Sequence, residues 1–127
     1  MVMSKLSLED ELTELRRKGY SVTASPQPDG WTMVVFDGIP IPVGYNKSAT
    51  KLLIKVPPGY PAAQLDMFWT DPDLTLSTGG SPQGCSQEQA LGTPWLRFSW
   101  HAGSWNPAYD NLRTYLSFIQ RRLRNRA

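Results

Sequence analysis

The residue best suited to covalent chemistry is Cys85, the only cysteine of the chain. It closes a run of small and polar residues, Thr78-Gly79-Gly80-Ser81-Pro82-Gln83-Gly84-Cys85. A thiolate attacks a carbonyl carbon and holds the acyl group as a thioester that an amine can take over. Gly79, Gly80 and Gly84 let another backbone approach closely and can aim amide N–H groups at a tetrahedral oxyanion. No lysine or arginine stands within ten residues of Cys85 in sequence. Any cation that favours the thiolate must therefore arrive through the fold. On composition alone, a free cysteine is also a common small buried hydrophobe. His101, the only histidine, is the candidate base for the thiol or for an incoming amine. Asp110 is the candidate to orient His101 or the acceptor amine, and its plainer role is to face the positive end of a helix dipole. Ser86, Ser99 and Ser104 are alternative oxygen nucleophiles, although an ester is less reactive toward amines. A single cysteine rules out an internal disulfide framework and a multi-thiolate zinc site. No metal or cofactor is expected.

These residues must be positioned by ordinary elements. Ser7 is placed to cap a helix over 7–18, with Leu8, Leu12 and Leu15 on one face. Acidic residues fill its first turn, basic residues fill its last, and Gly19 stops it. Strands are expected over 20–24, 31–36, 51–56 and 65–69. Asp37-Gly38 reads as a tight turn, and Ile39-Pro40-Ile41-Pro42 as extended, edge-like chain. From Thr70 to Pro94 the pattern dissolves into a long loop that holds Cys85. A short strand over 95–100 and a turn through His101 follow. The last element is a helix opened by Asn106 as its cap and Pro107 at its first position. Leu112, Tyr115, Leu116, Ile119 and Leu123 form its core-facing stripe. The expected class is α+β: an N-terminal helix, a four-stranded antiparallel meander, a long active-site loop and a C-terminal amphipathic helix, in one domain over 1–127.

The chain has 127 residues, 40% of them hydrophobic, which is enough to build one core and excludes a disordered chain. The net charge of +2 is too small to imply nucleic-acid binding. Stacking of exposed Trp and Arg on bases is a weaker alternative. No apolar run approaches the roughly 20 residues of a membrane span. The first ten residues lack a signal-peptide pattern, so the expectation is a cytoplasmic protein. Arg16, Arg17 and Lys18 at one helix end, and Arg121, Arg122, Arg124 and Arg126 near the C-terminus, are basic patches that either meet a partner or are simply solvated.

Taken in order, three segments resemble the ubiquitin-conjugating enzyme superfamily. Pro57-Pro58-Gly59-Tyr60-Pro61 is similar to its Pro-x-x-Tyr-Pro turn between the third and fourth strands. Trp105-Asn106-Pro107-Ala108 is similar to its Trp-Ser-Pro-Ala segment before the second helix, and Cys85 lies between them. Phe98-Ser99-Trp100-His101, together with Trp105-Asn106-Pro107 and Asp110-Asn111-Leu112, resembles the bacterial branch called family E. The sequence departs from the superfamily where a His-Pro-Asn motif is usual, reading Leu76-Ser77-Thr78-Gly79-Gly80. Its Cys85-to-Trp105 spacing is also longer than the superfamily's, and the usual spacing counted back from Trp105 lands on Arg97.

The resemblance implies a bacterial ubiquitin-like conjugation pathway, one that serves phage defence. A ThiF-type activating enzyme would pass a ubiquitin-like modifier to Cys85, and a peptidase would accompany them. It also implies Lys5, Arg16, Arg17, Tyr60 and Trp105 as partner contacts. A catalytically inert variant that scaffolds modifier and activating enzyme is the alternative. Neither nucleic acid nor membrane is an expected partner.

Overall fold

The computed structural model describes residues 7–125. Lys5 and Arg126 lie outside the described residues. Helix α1 spans Leu8–Arg17 and is capped by Ser7, whose hydroxyl accepts the Asp10 N–H at 3.1 Å. Its end is a Schellman motif: Gly19 N–H donates to Arg16 O and Tyr20 N–H to Leu15 O, both at 3.0 Å. The motif needs a left-handed residue at Gly19, where φ is +102°.

Six strands follow: β1 (Ser21–Pro26), β2 (Thr32–Pro40), β3 (Ala49–Val56), β4 (Phe68–Thr70), β5 (Cys85–Ala90) and β6 (Thr93–Phe98). They form one antiparallel sheet in the order β1-β2-β3-β4-β6-β5. Helix α2 (Leu112–Arg124) closes the order.

The structure corrects three expectations. The sheet has six strands, not four, because residues 85–98 form a hairpin on the free edge of β4 rather than loop. Its two-residue connection, Leu91-Gly92, has positive φ at both positions, as the twist of a tight hairpin demands. Cys85 is therefore the first residue of a strand, paired with Phe98. Second, Asp37-Gly38 does not end a strand. It is an irregularity inside β2, after which Ile39 pairs with Thr50 and Pro40 with Ala49. Third, α2 begins at Leu112, not after Asn106. Asn111 and Thr114 form a reciprocal capping box, with the Thr114 N–H donating to Asn111 Oδ1 at 3.0 Å and the Asn111 N–H to Thr114 Oγ1 at 2.9 Å. Residues 106–110 form a separate turn, in which Asp110 N–H donates to Asn106 O at 2.7 Å.

Both helices pack on one face of the sheet. Leu12 and Leu15 of α1 and the α2 stripe of Leu112, Tyr115, Leu116, Ile119 and Leu123 meet Phe36, Leu52, Ile54, Phe68 and Phe98. Phe68 and Phe98 stack at 4.4 Å between adjacent strands. Because side chains alternate along a strand, Leu53 and Trp69 point the other way, and with Ala90 and Trp95 they form a smaller apolar cluster on the opposite face.

Candidate active site

The expected site residues fall into three separate places. Cys85 is half-buried at the helix side of the sheet, beside its ladder partner Phe98. Gly84, with φ +77°, turns the chain into β5, and its carbonyl accepts the Ser99 N–H at 3.0 Å. The Cys85 sulfur lies 3.9 Å from the Gln83 carbonyl oxygen. Arg122 of α2 donates to that same carbonyl at 2.7 Å and lies 5.5 Å over the Phe98 ring. This is the cation that no sequence neighbour supplies. Burial nevertheless outweighs it and pushes the Cys85 thiol up to about 11, with the Arg122 charge pulling the other way.

His101 lies past the end of β6. Its Nδ1 is 2.5 Å from Oδ1 of Asp66, and its side chain is 67% exposed. Asp66 also borders a groove with Trp31, Lys55, Met67 and Trp69. Met67 and Trp69 belong to the apolar cluster on the face away from the helices. The partner of His101 is thus Asp66, while Cys85 has Gln83, Phe98 and Arg122 around it. Sequence reasoning missed Asp66. Its one signal is a carboxylate inside the apolar run Leu65-Asp66-Met67-Phe68-Trp69.

The third place is the corner between the helices. The Tyr60 hydroxyl donates to the Glu11 carboxylate at 2.9 Å, and the Tyr60 and Trp105 rings are 6.1 Å apart. Trp105 Nε1–H donates to Pro61 O at 2.8 Å. Asp110 accepts the Asn106 N–H at 2.8 Å. Burial, and next the Glu11 charge, raise the Tyr60 phenol well above its ordinary value. Tyr60 and Trp105 therefore lock the turn at 57–61 against the helices. Arg16 and Arg17 stand exposed on α1; Arg16 Nε–H donates to Val22 O at 3.1 Å, and Arg17 pairs with Glu14 at 2.9 Å. Near them a cleft of about 280 Å³ opens between α1 and the start of α2, lined by Glu11, Glu14, Leu15, Lys18, Asn111 and Arg113.

Ser86, Ser99 and Ser104 are all exposed. Among the described residues, no three His, Cys, Asp or Glu side chains converge as metal ligands would. No described helix is long and apolar enough to cross a membrane.

An N-terminal helix packed with a C-terminal helix on one face of an antiparallel sheet, with a Pro-Gly-Tyr-Pro turn pinned between them, is consistent with the E2 (conjugating-enzyme) fold. The family model for prokaryotic E2 family E matches residues 7–126, and the chain belongs to that family. No curated protein and no solved structure matches. Family membership assigns a conjugating-enzyme-like role, with an activating enzyme and a modifier as the general kinds of partner.

Proposed function

We propose that this chain is the conjugating component of a bacterial ubiquitin-like pathway, in which a ThiF-type activating enzyme hands a modifier to Cys85. The family match over residues 7–126 carries this reading, and the placement of the one thiol supports it. Cys85 is half-exposed at the start of the outermost strand, directly after the left-handed Gly84. The Cys85 thiolate adds to the modifier's terminal carbonyl, the S–C bond forms, and the activating enzyme's leaving group departs. An acceptor amine then adds to the same carbon, and the S–C bond breaks as the amine loses its proton. The pathway includes a peptidase, operates in the cytoplasm and serves phage defence. Arg16 and Arg17 on α1 face the activating enzyme.

The test combines the protein with its activating enzyme, modifier and ATP. A dithiothreitol-cleavable adduct that disappears in Cys85→Ala is the expected result. A thiol-resistant, hydroxide-labile adduct moves the nucleophile to Ser86, Ser99 or Ser104.

One observation favours a second reading, an inert member of the fold that scaffolds modifier and activating enzyme. The thiol is raised to about 11, and His101 is paired with Asp66. Stable association of the three proteins without any covalent adduct is its signature.

A further inference from the structure

The Asp66–His101 pair is built from anchored backbone rather than from two wandering side chains. The Met67 N–H donates to Trp100 O at 3.0 Å, and the Tyr115 hydroxyl donates to Met67 O at 2.7 Å. The Trp100 ring packs edge-on against Phe68 at 5.7 Å and lies 6.2 Å from Tyr115. Residues 66–67 and 100–101 are thereby held side by side by the core of α2 and β4. A carboxylate only accepts, so in the neutral ring the proton stands on Nδ1 and the lone pair on Nε2. Nε2 is then the outward nitrogen of an exposed imidazole. Asp66 borders a groove of about 210 Å³ with apolar walls from Trp31, Met67 and Trp69.

We propose that His101 is an acyl-accepting centre in its own right, with Asp66 as its positioning residue. Its substrate class is an activated acyl group, with a carbonyl bonded to an oxygen or sulfur leaving group and an apolar portion lying along the groove. Nε2 adds to the carbonyl carbon, and the N–C bond forms. The bond to the leaving group breaks, and that group departs with its electron pair. The Nδ1 proton stays on the ring, and the Asp66 carboxylate that accepts its hydrogen bond offsets the positive charge gained. Water or an amine then takes the acyl group, the N–C bond breaks, and the proton released goes to solvent. The inference makes no use of Cys85.

The test uses the whole chain and diethyl pyrocarbonate as the acyl donor, with carbethoxyimidazole absorbance and peptide mapping as readouts. The sole histidine makes the signal unambiguous. His101 is expected to react faster than N-acetylhistidine at the same pH. Asp66→Asn should lower that rate by about tenfold, and Asp66→Glu should recover part of it. Nitrogen-15 NMR should find the Nδ1–H tautomer in the unmodified protein and lose it in Asp66→Asn. A rate no faster than N-acetylhistidine, an Nε2–H tautomer, or an Asp66→Asn rate equal to that of the unmodified protein would each overturn the proposal. Peptide mapping separates an adduct on His101 from one on Cys85, so each reading can fail alone.

Discussion

The Tyr60 hydroxyl sits 2.9 Å from both carboxylate oxygens of Glu11, and one of those oxygens also accepts the Leu112 N–H at 3.0 Å. Glu11 is only 5% exposed. A single buried carboxylate of α1 therefore ties the turn at 57–61 to the first turn of α2. It sits at that helix start with the favourable sign of charge.

Removing this acceptor strands the buried Leu112 N–H and the half-buried Tyr60 hydroxyl. Glu11→Ala is expected to cost about 3 kcal/mol of unfolding free energy, and Tyr60→Phe about 1 kcal/mol, since it removes one donor and leaves the carboxylate its other partner. Urea denaturation of the two variants checks the order.

The raised Tyr60 phenol adds an alkaline limit. The unfolded phenol ionises near pH 10 while the folded one keeps its proton, so the unfolded state binds fewer protons and stability falls as pH rises past 10. Tyr60→Phe should flatten this decline, read from urea midpoints on either side of pH 10. Tyr115, also raised by burial, contributes in the same direction and should remain in that variant.

The thiol provides a second titration. Cys85 should ionise with a midpoint at about 11 rather than near its ordinary value of 9. Alkylation by iodoacetamide at neutral pH is then slower than for a free thiol. Arg122→Met should push the midpoint higher and slow alkylation further, because it removes the cation that opposes desolvation. Thiolate absorbance against pH measures both.

Asn106 and Asn111 are rival helix caps, and the structure decides between them. Asn111→Ala is expected to cost about 1–2 kcal/mol through loss of the capping box. Asn106→Ala should cost less, as it disturbs only the exposed turn that precedes the helix. Equal losses in urea denaturation would contradict this placement of the helix start.

Lys47 clamps the start of the chain between β4 and β5. Its ammonium lies 2.8 Å from both Asp71 and Asp73, whose hydrogen bonds raise it, while Lys47 in turn lowers Asp73. Alongside it, Asn46 N–H donates to Thr75 O at 3.0 Å. Lys47→Met should speed hydrogen exchange at Asn46 and Thr75; the exposed Asp73 pair adds little to global stability, and the half-buried Asp71 pair carries whatever is lost.

Much of the fold is visible in residue types. Leu12 and Leu15, the Gly19 stop and the Leu112–Leu123 stripe all lie where their spacing puts them, because each is a local signal backed by burial. The hairpin is not visible. Cys-Ser-Gln-Glu-Gln-Ala contains no β-branched or aromatic residue. It is a strand because Leu91-Gly92 folds it onto β6, with Trp95 Nε1–H donating to Ala90 O at 3.0 Å. The position of the α2 start is likewise hidden, since two asparagines five residues apart carry equal capping potential. The Asp66–His101 pair spans 35 residues. No local pattern encodes such a pairing. It arises when Met67 and Trp100 meet across the sheet.

The position of β5 at the rim has a practical outcome. No described strand pairs with its outer side, and a row of backbone donors and acceptors there is open to an added strand. A partner chain zipping onto that rim would run past the one thiol in the molecule. Protection of that sulfur from a labelling reagent is therefore a ready gauge of docking, with no tag or engineered probe needed.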